Sequence, residues 1–395
     1  MNIDDIMVPN INIIKNPSIS IIMCIYNTPR NKLEEALNSV ACQQFKDYEF
    51  IIIDDCSDNK ETTDFIDRFK TNWTVDLRQQ KLSVYRNPKN FGLAYSRNYG
   101  ISKAKGEWIY FIDSDDYMWG LTLQKMWSAV QDWYSYISYD IDMVVGDCIR
   151  GNKRPALGYK PTDTVFYYDK YDAMKEICRY SELPNYNMMN KELQFNATWN
   201  KLIRKSILYD DKKEVFKIRF KEGYPHEDNF TTHKIFYNCS GILFLPIQTY
   251  FYRYGGAFAD GKQYKDTLMI EAKKERQDFI DKWYNEIIQD NLKDEDEPPR
   301  LPPGFSRAHI WKDDNNMYYR NVKDKINYIK NNNYAWLMRT MYNTYCQMDD
   351  KSVFGDVLSK IYNGEIDLDV VKCKSLVKRI KKITEEDSNE SSNNL

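Results

Sequence analysis

The amino-acid sequence predicts an α/β fold in which helices flank a mixed, mainly parallel sheet, with a helical region at the C-terminal end. Apolar runs of strand length alternate with segments of helical spacing through the first 120 residues. The connections between them are short, and polar residues gather where the apolar runs end. This alternation is typical of a parallel sheet, whose ligands bind at the carboxyl edge of the strands.

The first strand is predicted from the apolar run SISIIMCIY, residues 18–26, which has the character of a strand buried on both faces. Thr28 and Pro29 follow it, and they predict an N-cap and a first-turn proline. The apolar residues that come next recur at helical spacing: Leu33, Ala36, Leu37 and Val40. We therefore expect a helix directly after the first strand.

The second strand is predicted from YEFIIIDD, residues 48–55, which is another continuous apolar run. Asp58 and Glu61 predict a capping-box-like start for a helix around 62–70. The alternation then repeats, with a weaker strand in LSVYRN, a helix in GLAYSRNYGISKA and a fourth strand in WIYFID. A helix from about 121 to 136 and a strand around 143–145 continue it.

Beyond residue 150 the pattern changes. A strand-like run, GILFLPIQTYFYRY, closes a mixed region, and from residue 266 onward the pattern is helical. A charged, Pro-rich stretch at 293–304 is the best linker candidate. The predicted divisions are an N-terminal extension, a main α/β domain, a mainly helical region containing this linker, and a disordered tail: 1–17, 18–255, 256–385 and 386–395.

Composition limits the class of protein. The chain has 395 residues, enough to bury a core without disulfide bonds. Its net charge of −2 gives no support for a nucleic-acid-binding surface. The eight cysteines lack zinc-site spacing, which predicts free thiols in a reducing compartment. No signal peptide or membrane-spanning run is visible, so we expect a soluble cytoplasmic protein, with peripheral membrane association left open.

The fourth predicted strand ends in three carboxylates within four residues: Asp113, Asp115 and Asp116. Residues i and i+2 of an extended backbone point the same way, so Asp113 and Asp115 face one side with the small Ser114 between them. Two such carboxylates suit a hard divalent cation such as Mg²⁺ or Mn²⁺. The alternative is that these aspartates cap the next helix.

Polar residues also follow other predicted elements. Asp54 and Asp55 end the second strand, while Asn90 and Gly92 precede a helix that carries Arg97. Each has an ordinary interpretation by itself, since an Asp pair often caps a helix and an Arg is often a solvated or structural salt-bridge partner. Their expected meeting at one edge of the sheet is what favours a binding site.

Taken in order, these segments resemble the family-2 glycosyltransferases with a GT-A fold. ISIIMCIYN is similar to the family's first strand and its terminal Tyr-Asn, and FIIIDDCSDN resembles Val-Asp-Asp-Gly-Ser-x-Asp with Cys56 replacing the glycine. NFGLAYSRNYGI resembles Asn-x-Gly-x-x-x-Ala-Arg-Asn-x-Gly with Ser96 replacing alanine, and WIYFIDSDD resembles Phe-Leu-Asp-Ser-Asp-Asp. NATWNKLIRKSIL and RFKEGYPHEDNFTTHKIFY resemble later segments of that family. The resemblance covers roughly residues 17–255 and does not reach the rest of the chain.

This resemblance implies a nucleotide-sugar site, with a UDP-sugar as the favoured donor. Asp55 would contact the base, and the Asp-x-Asp would handle the ribose and a Mn²⁺ or Mg²⁺ ion shared with the diphosphate. The implied metal ligands are Asp113 and Asp115. The residues implied to bind the nucleotide sugar are Tyr26, Asn27, Asp54, Asp55, Asn90, Gly92, Arg97, Asp113, Ser114 and Arg253.

The same resemblance places the general base in PHEDNF, on Asp228 first and Glu227 second. His226 could be a metal ligand, a base or a structural neighbour. We therefore expect an inverting, metal-dependent transfer of a sugar from a nucleotide diphosphate to a hydroxyl of a glycan, glycoconjugate or other polymer. The alternative is a non-catalytic carbohydrate- or nucleotide-sugar-binding module, which would be distinguished by loss of the Asp-x-Asp or the Glu-Asp; both are present.

Two other nucleotide-binding classes are excluded by their missing motifs. A dinucleotide-binding dehydrogenase needs a G-x-G-x-x-G after the first strand, where this chain has Tyr26-Asn27-Thr28-Pro29. A P-loop NTPase needs a G-x-x-x-x-G-K-S/T sequence, and the chain contains none.

Overall fold

The computed structural model describes residues 16–75, 80–153, 164–178, 194–254, 267–289, 301, 303–307, 322–348, 376 and 378–379. The strands are β1 Ile19–Ile25, β2 Tyr48–Asp54, β3 Leu82–Arg86, β4 Trp108–Asp113, β5 Tyr117–Met118, β6 Met143–Gly151, β7 Val165–Tyr168, β8 Lys201–Arg204, β9 Tyr209–Asp210, β10 Val215–Phe216, β11 Ile242–Arg253 and β12 Phe305–Arg307. The helices are α1 Arg30–Ala41, α2 Lys60–Val75, α3 Leu93–Lys103, α4 Thr122–Tyr136, α5 Lys170–Ile177, α6 Lys205–Leu208, α7 Glu227–Tyr237, α8 Thr267–Gln289 and α9 Val322–Met348.

The main sheet has the strand order β12-β7-β11-β6-β8-β4-β1-β2-β3, and β5 pairs with β11. Four consecutive strands, β4, β1, β2 and β3, run parallel to one another, as the apolar runs predict. β8 then lies antiparallel between β4 and β6. The predicted mixed, mainly parallel sheet is confirmed, and its strand direction changes at β8 and again between β11 and β7.

Hydrophobic cores lie on both faces of the sheet because alternate strand residues point in opposite directions. Ile21 and Met23 of β1 belong to one core, which α1, α2 and α4 cover. Ile22 belongs to the other core, which α3, α5 and α7 cover. This second core also contains Ile280 and Trp283 of α8, so the C-terminal helices pack on the same body as the sheet.

The start of α1 differs from the prediction. Pro29 occupies the N-cap position, and no side chain caps the helix there. Thr28, the predicted N-cap, instead shares a hydrogen bond of 2.6 Å with the Ser114 hydroxyl in the turn after β4. The Thr28 side chain is therefore used to join two strand ends, which leaves it no role in capping.

The start of α2 also differs. The helix runs over 60–75, longer than the predicted 62–70, and Asn59 caps it. The Asn59 Oδ1 atom accepts hydrogen bonds from the backbone N–H groups of Glu61 and Thr62, at 2.9 and 3.4 Å. Asp58, the predicted cap, accepts instead from the Asn27 amide at 2.6 Å.

The described part of the C-terminal region is helical, as the pattern after residue 266 predicts, but it also contributes a strand. This strand, β12, follows the linker candidate and pairs in parallel with β7. The sequence predicted neither β12 nor β7. Most of the linker candidate lies outside the described residues, as do residues 1–15 and the tail at 386–395. Among the described helices, none is both long enough and apolar enough to cross a membrane.

Candidate functional site

The candidate site lies at the carboxyl edge of the parallel strands. β1 lies between β2 and β4, with Ile25 opposite Asp54 and Cys24 opposite Asp113. The segments that follow these three strands therefore meet at one edge, as the sequence predicts. This edge brings together most of the polar residues singled out in the sequence.

Asp55 is buried and shapes the loop in front of α3. Its Oδ1 atom accepts from the Asn87 amide at 2.6 Å and from the Phe91 N–H at 3.0 Å. Its Oδ2 atom accepts from the Gly92 N–H at 2.8 Å. Gly92 has a φ of 90°, a conformation that favours glycine. Asp55 therefore fixes the loop wall of the site, and its contact with a nucleotide base stays a prediction.

Asp54 stabilises the turn that follows β2. Its Oδ2 atom pairs with Arg86 at 2.9 Å, and its Oδ1 atom accepts from the Ser57 N–H at 2.9 Å. Arg86 also donates to the Ser57 carbonyl at 2.6 Å. Cys56, inside this turn, has a φ of 62°. Both carboxylate oxygens of Asp54 are therefore bonded to groups of the turn itself.

Asn27 joins the end of β1 to the start of α2. Its side-chain oxygen accepts from the backbone N–H groups of Asp58 and Asn59, both at 3.0 Å. Beside it, Tyr26 is 50% exposed. Asn90, in the loop that Asp55 holds, is also exposed. Tyr26 and Asn90 thus present an aromatic ring and an amide to solvent at the rim of the site.

Arg97 links the Asp-x-Asp segment to the Glu-Asp segment. Its side chain is only 4% exposed, so Arg97 is not solvated, and its ordinary interpretation as a structural salt-bridge partner is confirmed. One guanidinium nitrogen donates to Asp113 Oδ1 at 3.0 Å, and the other donates to Glu227. The guanidinium also lies over the rings of Phe111 and Phe220. Aromatic packing and two carboxylates thus stabilise a fully buried charge.

Negative charge exceeds positive charge around the Asp-x-Asp. Burial raises the pKa of Asp113 to about 6; Arg97 opposes this shift, and Asp115 and Glu227 add to it. Burial also raises the pKa of Asp115, against the opposing charges of Lys32 and Arg253. Carboxylates crowded in this way are stabilised by a bound cation.

The side chains present fit a divalent cation with few protein ligands. Within the described residues, Asp115 accepts a hydrogen bond from no other side chain. The described part of the chain contains no group of three or more His, Cys, Asp or Glu side chains arranged to hold a metal. Asp113 and Asp115 would therefore supply two carboxylates, and Mg²⁺ or Mn²⁺ commonly completes such a site with phosphate and water.

Asp116 has a structural role that the sequence analysis missed. It is buried, and its carboxylate accepts from the Tyr250 hydroxyl at 2.9 Å and from the Arg253 N–H at 2.8 Å. The Tyr250 hydroxyl in turn accepts from the Asp113 N–H at 3.1 Å. Asp116 therefore fixes the Asp-x-Asp turn against the end of β11. The signal was present in the sequence, because a third carboxylate follows the Asp-x-Asp.

Arg253 ends β11 beside these carboxylates. Its guanidinium donates to Glu35 of α1 at 2.8 Å, and its Nε atom is buried without a hydrogen-bond partner in the described part of the chain. Its charge lowers the pKa of Asp115, which burial raises. The structure thus places a cationic side chain beside the carboxylates of the Asp-x-Asp.

The Glu-Asp segment forms the first turn of α7. His226 precedes it with a φ of 60°, a left-handed conformation that is uncommon among residues other than glycine. Glu227 is buried against Arg97, and burial raises the pKa of its carboxyl group. Asp228 is half-buried, and its Oδ1 atom accepts from the Asn229 backbone at 2.7 Å. Within the described residues its Oδ2 atom accepts no hydrogen bond, so Asp228 is the more available carboxylate.

The Asn-Lys segment, residues 196–201, packs against the strand that ends at the site. Trp199 stacks on Tyr250 with ring centroids 4.6 Å apart. Lys201 is fully buried and donates to the backbone carbonyls of Gln194 and Ala197. Burial lowers the pKa of Lys201 to about 7. These contacts show that this segment fixes the backbone around the site, a role that no local pattern in the sequence indicated.

The match to a family model covers just under half of the chain, from β1 to β9. Residues 20–211 match the model of glycosyl transferase family 2. Glycosyltransferase GlyG of Streptococcus pneumoniae is 28% identical over 239 residues, which is 60% of this chain and 70% of that protein. Poly(ribitol-phosphate) β-N-acetylglucosaminyltransferase TarS of Staphylococcus aureus is 24% identical over 236 residues, which is 59% of this chain but only 35% of that protein.

The comparison with solved structures covers nearly the whole chain. Residues 1–349 of S. aureus TarS in complex with UDP-GlcNAc match with a TM-score of 0.59 at 17% identity. The match covers 94% of this chain and 92% of that chain. The same fragment in complex with UDP matches with a TM-score of 0.56. At this identity, the match shows a shared fold.

Proposed function

We propose that the chain acts as a family-2 glycosyltransferase with a GT-A fold, which transfers a sugar from a UDP-sugar to an acceptor hydroxyl, with inversion and with Mn²⁺ or Mg²⁺ as cofactor. One observation carries the proposal. Buried Arg97 bridges Asp113 and Glu227, which are 114 positions apart. It thereby holds the Asp-x-Asp, which is proposed to bind the sugar donor, beside the Glu-Asp turn. Donor and acceptor groups would then meet between β4 and α7.

The donor would lie along the carboxyl edge of β1, β2 and β4. The exposed ring of Tyr26 and the loop that Asp55 holds suit a nucleoside, because both lie at the rim of the site. The matching TarS structures are complexes with UDP-GlcNAc and with UDP, which supports a UDP-sugar as the donor here. Asp113 and Asp115 would hold the metal ion, which would neutralise the diphosphate.

Asp228 is the proposed general base. Its Oδ2 atom would take the proton of the acceptor hydroxyl, while the acceptor oxygen bonds to the anomeric carbon. The bond from that carbon to the diphosphate oxygen breaks, and its electron pair leaves with the nucleotide. Glu227 is less suited to this role, because its carboxylate is already paired with buried Arg97.

The acceptor would be a hydroxyl of a glycan, glycoconjugate or other polymer. The name of TarS refers to a poly(ribitol-phosphate) acceptor, but this chain spans only 35% of that protein. GlyG, of which the chain covers 70%, carries a name that states no acceptor. Polyol-phosphate polymers and glycans are therefore the first acceptors to test.

Metal dependence can be tested by chelation. In a screen of UDP-sugars, we expect release of UDP with Mn²⁺ or Mg²⁺ present and its loss in excess EDTA. Asp115→Ala should remove most turnover while the fold persists, because the cation loses a carboxylate ligand. Asp64→Asn, at an exposed position of α2, is the matched control and should keep full activity. Undiminished turnover in EDTA would contradict metal dependence.

The base can be tested by Asp228→Asn, which nearly preserves shape. This variant should keep its affinity for UDP and lose transfer by about 10²–10⁴-fold, the usual contribution of general base catalysis. The anomeric configuration of the product is then measured by NMR. A product that retains the donor configuration would rule out direct displacement, and an active Asp228→Asn enzyme would move the base to Glu227 or His226.

A further inference from the structure

A buried polar cluster lies behind Asp228, where α8 packs against α7. Its centre is Arg276 of α8, which is 0% exposed. One Arg276 nitrogen donates to Asn196 Oδ1 at 2.8 Å, to the Asn229 carbonyl at 3.2 Å and to Asn229 Oδ1 at 3.1 Å. Asn229, itself 6% exposed, donates its amide to Asp228 Oδ1 at 3.0 Å. These contacts form a continuous path from α8 to the proposed base.

A buried guanidinium is an unusual way to join two helices. Burying a charged group is unfavourable, because the charge loses its hydration even when the surrounding protein relaxes around it. Farther along the same helix, Ile280 and Trp283 provide ordinary apolar packing against the second core. Packing alone therefore gives no reason for Arg276. Its position next to the Glu-Asp turn indicates a role in the geometry of that turn.

The hydrogen-bond pattern shows what this role is. A guanidinium only donates, so its neighbour Asn229 must direct its side-chain oxygen towards Arg276. The Asn229 –NH₂ group then points to the other side, where it donates to Asp228 Oδ1. With Oδ1 held in this way, Oδ2 of Asp228 is the oxygen left for the acceptor hydroxyl.

We propose that Arg276 is a positioning residue, which orients the Asp228 carboxylate through Asn229 and so makes helix α8 part of the catalytic machinery. The proposal rests on the proposed function, since it takes Asp228 as the base. It also assigns a role to the helical region that follows the matched family segment. In this role α8 supports the base through Asn229.

The first test is Arg276→Gln. Because a misplaced reactive group commonly loses about 10²-fold in rate, we expect kcat for transfer to fall by about 10–100-fold. The affinity for UDP, measured by calorimetry, should stay within about twofold because no donor residue changes. Where Arg276→Gln fails to fold, Arg276→Met replaces it, and the same loss is expected because a thioether donates no hydrogen bond to Asn196 or Asn229. A folded variant with wild-type kcat would overturn the proposal.

The matched control is Lys273→Gln, one turn earlier on α8. Lys273 is also buried and donates to Thr340 of α9 at 2.8 Å, so its loss disturbs helix packing away from the base. We expect a lower melting temperature and an unchanged kcat. If both variants lower kcat equally, Arg276 acts through general stability, and the proposal fails.

The second test is a double-mutant cycle with Asn229→Ala. If Arg276 acts through Asn229, the double variant should be no slower than the slower single variant, whereas multiplied losses would contradict the path. Asp228→Asn separates the two hypotheses. An inactive Asp228→Asn with a fully active Arg276→Gln refutes only the positioning role, and an active Asp228→Asn refutes the proposed base itself.

Discussion

Cys56 occupies the position where the family turn has a glycine, and its backbone shows the consequence. Its φ of 62° lies in the left-handed region, which costs an L-residue about 1–2 kcal/mol. The turn is retained because Asp54, Arg86 and Ser57 hold it from both sides. A residue-scale departure from the family pattern thus leaves the site geometry intact.

Cys56→Gly should therefore stabilise the protein. Relief of the left-handed conformation should exceed the extra chain entropy of glycine, which leaves a gain of about 0.5–1 kcal/mol. The free energy of unfolding in urea measures it. Asn27→Gly is the control, because Asn27 also has a positive φ but its side chain makes hydrogen bonds that glycine loses. Equal effects of the two variants would contradict the explanation.

Lys201 gives a prediction about pH. Its pKa is lowered to about 7 by burial, so the unfolded chain holds the proton more tightly between pH 7 and the usual lysine pKa. The contribution of Lys201 to stability therefore rises as pH increases through this window. Relative to Lys201→Met, the wild type should gain about 2 kcal/mol of unfolding free energy between pH 7 and pH 9.

The free energy of unfolding in urea, measured for the wild type and for Lys201→Met at pH 7, 8 and 9, checks this prediction. A flat difference for Lys201 over this range would show that the amine stays charged between its two carbonyl acceptors.

At the scale of elements, β11 positions the Asp-x-Asp turn. The strand ends beside the site, where the Tyr250 hydroxyl connects Asp116 to the backbone of Asp113. Trp199 stacks on Tyr250 and also on Tyr252, so both tyrosines belong to one aromatic stack. Of these two tyrosines, only Tyr250 adds hydroxyl contacts to the carboxylate turn among the described residues.

Tyr250→Phe should therefore loosen this turn. It leaves a buried Asp116 oxygen without its donor, which should cost about 1–3 kcal/mol of unfolding free energy. We also expect weaker binding of UDP with Mn²⁺, because the Asp113 backbone loses its acceptor. Tyr252→Phe keeps the stacking ring and is the matched control. Equal binding of Mn²⁺ and UDP by both variants would show that the hydroxyl does not position the turn.

At the scale of the whole molecule, the C-terminal helices share the second core with the sheet. Trp283 of α8 is 3% exposed and stacks on Tyr171 of α5 with ring centroids 5.2 Å apart. Arg276 and Lys221 connect α8 to the α7 region by polar contacts. We therefore expect the α/β part and these helices to unfold as one unit.

Trp283→Ala tests this expectation. Loss of a buried tryptophan should lower the free energy of unfolding by about 3–5 kcal/mol. The loss should appear as one shifted transition, followed both by far-UV circular dichroism and by UDP binding. Lys282→Ala, whose side chain is 79% exposed, should leave the transition unchanged. Two separate transitions in Trp283→Ala, with UDP binding kept through the first, would show that the helices form an independent unit.

The sequence by itself determined the strand runs, the order of the motifs and the meeting of polar residues at one sheet edge. These features depend on residues close together in the chain, since apolar periodicity and strand ends are local. The caps of α1 and α2 were predicted wrongly because Thr28 and Asp58 make tertiary contacts with Ser114 and Asn27. Local capping rules do not include such competitors.

Only the tertiary structure decided how the site residues divide their roles. Arg97 and Glu227 are separated by 130 positions, and Arg276 and Asn229 by 47. No local pattern couples residues so far apart, because their contact depends on how helices pack on the sheet. Burial and partner choice then distinguish paired Glu227 from available Asp228, although the two stand side by side in the sequence.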